Sequence, residues 1–346
     1  MSQPLLGTVV AAQANYYFVR LTSGEQLLCV KRALLRKLGH RVMVGDQVEV
    51  EEPDWQGMRG AICGVLPRRS LLDRPPVANA SQVLLVFAMA QPALDEIQLS
   101  RFLVTAESTG IEVLLCLSKA DLIEPEEQAD WRQRLTDWGY PPLLISAQSG
   151  WGRDALLGRL ADGITVVSGP SGVGKSSLIN WLIPDLEIRV SAVSGKLERG
   201  RHTTRHVELF ELPQGGLLAD TPGFNQPDLL GSPEEIGQYF PEVRSRQGHC
   251  QFSDCLHREE PGCGVRGDWD RYDFYLLVLE EAIARAAIEA KQANRKTNLK
   301  QKNKGQGQVT YEPILDTKYR KKGRNTEQQT MKLLKGKPED LPEEPD

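Results

Sequence analysis

Between Ile164 and Asn180 the chain reads ITVVSGPSGVGKSSLIN. Four residues of β-forming type lead into Gly169, Pro170, Ser171, Gly172, Val173, Gly174, Lys175, Ser176 and Ser177, and an apolar helical pattern follows. Strand, glycine loop and helix in that order are the context the phosphate-binding pattern GxxxxGK[ST] requires. The glycines let backbone N–H groups converge on phosphate oxygens at a helix N-terminus. Lys175 is placed to reach the β- and γ-phosphates, and the Ser176 hydroxyl to ligate Mg²⁺. A plain flexible turn would need neither the lysine nor the flanking elements. The chain is expected to bind a nucleoside triphosphate with Mg²⁺.

Two further loops lie before this one in sequence. Ser118-Lys119-Ala120-Asp121 follows an apolar run ending at Leu117. There the Asp121 carboxylate can accept hydrogen bonds from the N1–H and exocyclic amine of guanine, which adenine does not present together, while the Lys119 stem covers the base. Taken alone the match is short, and an Asp in this place can equally cap a helix. Ser146 and Ala147 follow Ile145, where backbone N–H groups can meet the base O6. Beyond the phosphate loop, Gly200-Arg201-His202-Thr203-Thr204 falls in a Gly- and charge-rich stretch, and LLADTPG ends a strand at Asp220 with Gly223 three residues on. A strand-end Asp beside Mg²⁺ and a Gly whose N–H meets a γ-phosphate are parts of phosphoryl-transfer sites.

Cys250, Cys255, His257 and Cys263 form a second constellation. Three thiolates and one imidazole complete a closed tetrahedral set, the signature of a structural zinc with no open position for catalysis. Cys29, Cys63 and Cys116 lie in apolar runs and read as core residues.

These groups need a scaffold. QVLLVF (82–87), IEVLLCL (111–117), 143–145 and 164–167 are continuous apolar runs alternating with helical patterns, which predicts parallel strands covered on both faces in a doubly wound α/β sheet. Ligands of such a sheet lie at the carboxyl ends of its strands. Before it, residues 5 to 66 form short strands separated by turns, the pattern of a five-stranded OB-type barrel. Tyr16, Tyr17 and Phe18 near Arg20, Lys31, Arg32, Arg36, Lys37 and Arg41 suit nucleic acid, although alternate aromatics also fill barrels. The stretch 67–80, with its proline pair, reads as a linker.

Charge is segregated. Residues 291–337 hold 14 Lys/Arg against 3 Asp/Glu, whereas the whole chain of 346 residues carries −4. Such an arm is expected to be disordered when free and drawn to polyphosphate, or to act only as a solubilising tail. No apolar run reaches 18 residues and MSQPLLGTVV lacks a secretory core, so no membrane and a cytoplasmic home are expected.

Taken together the motifs resemble a translational GTPase whose guanine loops precede its phosphate loop, and with a barrel in front and a Cys/His cluster behind they resemble the RsgA family of circularly permuted GTPases. The resemblance spans residues 1 to about 285. It implies an OB-type barrel (1–66), a linker (67–80), a permuted α/β P-loop GTPase domain (81–230), a mainly helical zinc-binding domain (231–290) and a basic tail (291–346). It further implies hydrolysis of GTP to GDP, Thr204 or its neighbour Thr203 as the first-switch threonine, Asp220 to Gly223 opening the second switch, one zinc per chain, and a monomer acting on the small ribosomal subunit (30S, 16S rRNA). Ser118 departs from the Asn usual in the guanine motif, whose side chain bridges loops, so weakened nucleotide affinity is expected. Phe224 follows the second-switch glycine where a water-positioning Gln is common, which leaves His202 as the candidate catalytic group beside Lys175 and Thr204. Because the chain runs from the second switch into the metal segment, loss of the γ-phosphate is expected to move that segment relative to the sheet. An ATP-dependent P-loop enzyme and a non-catalytic RNA-binding protein are the alternatives.

Overall fold

The computed structural model describes residues 3–184, 207–220, 231–296, 299–304 and 308–313, apart from Leu38, His40 and Arg74. It divides into two compact units, 1–283 and 284–346.

The first five strands close on themselves. β1 (Leu5–Gln13) pairs antiparallel with β2 (Tyr16–Leu21), and β2 with β3 (Gln26–Lys31). After helix α1 (Ala33–Lys37) come β4 (Gln47–Asp54) and β5 (Arg59–Val65); β5 pairs parallel with β3 and antiparallel with β4, and β4 returns to β1. The order 1-2-3-5-4-1 is the OB barrel. Alternate positions point inward, so Val9, Val19, Leu27, Val48, Val50 and Ile62 are fully buried. The three successive aromatics divide accordingly: Tyr16 is exposed, Tyr17 fills the barrel, and Phe18 packs against the core of the next domain.

The stretch read as a linker is folded. β6 (Leu71–Asp73) and β7 (Pro76–Ala78) form a hairpin with Leu72 and Val77 buried. Asp46, wholly buried, accepts from Met43 N at 2.7 Å and from Arg68 Nε and Nη2 at 2.7 and 3.0 Å, which ties the barrel to the hairpin's entry. Gly45 sits at φ +90°, where an added Cβ would lie 2.0 Å from Ala78 O, so the turn can press on the hairpin only as glycine. The Arg68–Asp46 bonds join residues 22 apart and leave no periodicity in the sequence.

β8 (Ala80–Ala88), α2 (Glu96–Glu107), β9 (Glu112–Ser118), α3 (Pro125–Asp137), β10 (Leu143–Leu144), α4 (Arg153–Arg159), β11 (Ile164–Ser168), α5 (Lys175–Leu182), β12 (Glu208–Glu211) and β13 (Leu217–Asp220) build the central domain. Its sheet order is β10-β9-β8-β11-β13-β12, parallel except at the antiparallel β12–β13 pair. Apolar clusters cover both faces, with Leu85, Phe87, Leu103 and Leu115 on one and Leu84, Val86, Leu156 and Leu178 on the other, which is why these strands read as unbroken apolar runs. The outer edge of β12 is met by β1, so barrel and central domain share one sheet of eleven strands.

A helical segment docks on α2 and α3. It contains a 3-10 turn over Ile236–Tyr239, α6 (Pro241–Arg244) and α7 (Tyr272–Lys296). Arg134, lying 5.3 Å from the rings of both Trp131 and Trp138, bonds Glu96 at 2.6 Å and Asp270 at 2.5 and 2.9 Å. Arg271 is 2% exposed, pairs with the buried Glu242 at 2.8 and 2.6 Å, and stacks 4.8 Å from Trp138 and 5.1 Å from Phe240. Such a planar fork makes two bonds while its faces meet aromatics. Arg101–Glu281 and Arg244–Glu107 pairs add to the seam, and Val104 of α2 shares the segment's core with Phe240 and Tyr275.

In the second unit, β14 (Leu299–Lys304) and β15 (Gln308–Pro313) pair antiparallel from Leu299↔Pro313 to Lys304↔Gln308. These two strands fall within the basic arm of the sequence.

Glu242→Ala would leave Arg271 buried without its partner. It should destabilise the chain by about 3–5 kcal/mol, read as a lower midpoint in urea unfolding, whereas Arg258→Ala at an exposed pair should change it little.

Candidate nucleotide site and metal centre

β11 ends inside the sheet and delivers the phosphate loop to its carboxyl edge. Gly169, Gly172 and Gly174 have φ of +138°, +83° and +95°, and a Cβ at Gly169 would lie 2.1 Å from Val86 O. The loop therefore needs glycine both for its turns and for its close approach to β8. Val173 is buried beneath it, while Ser171, Ser176 and Ser177 are exposed. The Lys175 ammonium donates to Gly169 O at 2.7 Å and Pro170 O at 2.5 Å, folded over its own loop. Those carbonyls hold the charge where incoming phosphate oxygens would take it over.

The guanine-type loop sits two strands away. Its Ser118 hydroxyl, buried, donates to Val173 O at 2.6 Å, with Phe87 O at 3.2 Å. Serine thus keeps the bridge expected to be lost with Asn. Lys119 has φ +56°, and its ammonium reaches Gly172 O at 3.0 Å and Gln91 O. Both residues tie the guanine loop to the phosphate loop, across 55 and 53 positions of sequence. Asp121 follows in a 3-10 turn over Ala120–Leu122, with its side chain exposed. Ala120 N donates to Ile145 O at 3.1 Å, which sets the third loop beside it: Ser146 is buried, its hydroxyl accepting from Ser149 N at 3.1 Å, and Ala147 is exposed. Asp220 ends β13 next to β11. His202, Thr203, Thr204 and Gly223 lie outside the described residues.

Gln91 and its neighbour Pro92 are site residues the sequence did not announce. The Gln91 carbonyl receives Lys119, and Pro92 lies 3.8 Å from where a Gly172 Cβ would stand. A backbone carbonyl carries no side-chain signal.

At the other centre, the ligand atoms of Cys250, Cys255, His257 and Cys263 all lie within 4.8 Å of one another and can hold a metal ion. His257 Nδ1 is 3.5 Å from both Cys250 Sγ and Cys263 Sγ, which are 4.0 Å apart. Burial lowers the His257 pKa, favouring the neutral imidazole that a metal requires. Around the ligands, Tyr272 and Tyr275 hydroxyls donate to His257 O and Leu256 O at 2.8 Å each, and the Glu260 carboxylate accepts from Leu256 N and Arg258 N. Burial pushes the Cys116 thiol up to about 12, that of an inert core residue.

A phosphate loop at one strand end, with guanine-type loops that come earlier in the chain bonded to it, defines a circularly permuted P-loop GTPase domain. The model of the RsgA GTPase family matches residues 65–230, and that of a family described as 50S ribosome-binding GTPase matches 164–302. Small ribosomal subunit biogenesis GTPase RsgA of Trichormus variabilis is 56% identical over 95% of this chain and 96% of its own; its counterpart in Microcystis aeruginosa is 56% identical over 96% and 95%. The chain belongs to the RsgA GTPase family. The crystal structure of YloQ, a circularly permuted GTPase, is 32% identical with a TM-score of 0.69 over 82% of this chain and 96% of that one. YjeQ from Thermotoga maritima is 34% identical with a TM-score of 0.68, over 81% and 98%.

Ser118→Ala would orphan the Val173 carbonyl and free one loop from the other. Affinity for GTP and GDP should fall together by about ten-fold, roughly the worth of a buried hydrogen bond, as measured by titration with a fluorescent nucleotide. An unchanged affinity would mean the bridge does not preorganise the site.

Proposed function

We propose that the chain hydrolyses GTP to GDP and phosphate and couples that turnover to late assembly of the small (30S) ribosomal subunit. The observation that carries this reading is the bonding of the Ser118-to-Asp121 loop to the phosphate loop, because a site for an adenine nucleotide has no use for an acid at Asp121. One of the two family descriptions names the 50S ribosome, but the relatives that match over 94–95% of this chain are named for the small subunit. Barrel, metal segment and basic arm supply three surfaces for rRNA, with Tyr16 exposed on the barrel. The unit of action is a monomer in the cytoplasm; among the described residues no helix is long and apolar enough to cross a membrane.

In this reading Gly169 to Gly174 direct N–H groups at the phosphates, Lys175 moves from its loop carbonyls to the β- and γ-phosphates, and Ser176 with Thr204 and Asp220 serves the Mg²⁺ bound with the nucleotide. That ion would neutralise charge developing on the phosphate oxygens. Asp121 selects guanine, Lys119 covers the base, and backbone N–H groups at Ser146 and Ala147 face O6. With Phe224 after Gly223, His202 positions the attacking water when RNA is bound. GTP turnover is therefore slow alone and raised by purified 30S particles, ATP is not used, and His202→Ala loses most of the stimulated rate, about 10²-fold or more, at unchanged GTP affinity. Full stimulated turnover by that variant would assign the step to a ribosomal group.

The metal is zinc. Tetrahedral zinc with bonds of about 2.3 Å to sulfur and about 2.05 Å to nitrogen places S···S near ~3.8 Å and S···N near ~3.6 Å; Cys250 and Cys263 Sγ are 4.0 Å apart and each 3.5 Å from His257 Nδ1, and with Cys255 all four ligand atoms lie within 4.8 Å. Zinc would supply the folding free energy of a segment rich in turns, with Tyr272, Tyr275 and Glu260 holding the ligand loop in shape. Purified protein should contain one zinc per chain, and Cys255→Ala should lose it and make residues 245–265 sensitive to protease while the central sheet stays folded. A metal-free preparation that is ordered there would overturn the assignment.

A further inference from the structure

β1 changes partner along its length. Leu5 to Thr8 pair with β4 inside the barrel; then, past an irregularity between Val9 and Ala11, Ala11 pairs with Glu208 of β12. Glu208 in turn pairs with Asp220 of β13. Ala11, Glu208 and Asp220 thus occupy one row across three adjacent strands. At about 4.8 Å per strand, the barrel's backbone comes within about 10 Å of the backbone of Asp220. Two other contacts fasten the same place. Arg20 of β2 forms an ion pair with Glu211, the last residue of β12, and Val10 and Phe18 share a core with Val207 and Leu209. β12 is the strand that leaves the segment carrying His202 and Thr204, and β13 is the strand that enters the one carrying Gly223.

We propose that the barrel is a positioning element of the nucleotide site, with β1 and Arg20 holding the β12–β13 hairpin, so that what binds the barrel and what occupies the γ-phosphate position bias one shared element. The proposal rests on the GTPase reading above and goes beyond it. Its physical basis is that the β12–β13 hairpin cannot slide against β1 without breaking the Ala11–Glu208 pairing, the apolar packing and the ion pair together. Coupling of this kind is reciprocal: a hairpin shifted by the γ-phosphate alters the barrel, and a barrel held by RNA alters the preference for GTP over GDP. The merely architectural alternative is that β1 covers an exposed sheet edge. That role would affect stability and leave nucleotide preference alone.

The full-length chain can separate the two. Dissociation constants for GDP and for a non-hydrolysable GTP analogue are measured for the parent, Arg20→Glu, Glu211→Arg and the double charge reversal, with thermal unfolding alongside. For an ion pair exposed by 31% and 51% at its two side chains, each single change should shift the ratio of the two constants by about two- to five-fold, and the double reversal should restore it. In a second arm, Ala11→Cys with Glu208→Cys places two thiols on directly opposed residues, within disulfide reach. The oxidised variant should show an altered ratio that returns on reduction to that of Glu208→Cys alone, with the parent oxidised in parallel to account for native thiols. Parent-like ratios in every variant, with only the unfolding temperature lowered, would overturn the proposal, as would single-variant shifts that the double reversal fails to restore. A parent that binds neither nucleotide would sink the GTPase reading and the coupling with it.

Discussion

The hydroxyl of Ser118 and the ammonium of Lys119 reach the phosphate loop only because β8 lies between β9 and β11 and all three end at the same sheet edge. Sheet order, not chain order, decides which loops meet. β9 and β11 flank β8, so their ends are about 10 Å apart, a span that two side chains can cross toward loop carbonyls. Cutting and rejoining the chain elsewhere leaves this geometry unchanged, which is how a permuted sequence retains the site. Serine suffices for the bridge because Val173 is buried close beneath it, and a longer side chain is not needed to cover 2.6 Å.

The sequence expectation that the metal segment swings when the γ-phosphate leaves meets an obstacle in the way the segment is held. Arg271 and Glu242 are buried together under Trp138 and Phe240, and Arg134 joins Glu96 of α2 to Asp270. Breaking the buried pair would strand a charge at a cost of about 3–5 kcal/mol. Of comparable size is the whole differential a ligand needs to invert a two-state population, about 5.5 kcal/mol. The metal segment is thus bonded to α2 and α3, the helices on the guanine side, as well as following β13 in the chain.

What was legible in the sequence was local. The phosphate loop, the guanine-type loop, the Cys/His cluster and the alternation of apolar runs with helical patterns each report themselves within a few residues, and a five-stranded barrel is suggested by five short strands with turns between them. What was not legible depends on partners far apart in the chain. The Asp46–Arg68 bond that folds the supposed linker, the Arg271–Glu242 pair and the Ala11–Glu208 contact span 22, 29 and about 200 positions, and none leaves a period or a motif. Tyr17 shows the same limit in one residue: its type suited RNA, and its parity in the strand placed it inside the barrel.

Two attachments of different kinds therefore frame the nucleotide site. On the guanine side, ion pairs and buried aromatics fix the metal segment to helices that carry none of the γ-phosphate-facing groups. On the opposite side, the barrel joins the hairpin that runs between the two segments on which γ-phosphate contacts are expected, in the same row as Asp220. A change at the γ-phosphate that moved this hairpin would have to move β1 or break from it, whereas it has no comparable hold on Arg271. Of the two domains that flank the central one, the one first in the chain is thus joined more directly to the strand that ends at Asp220, even though the metal segment follows that strand in sequence.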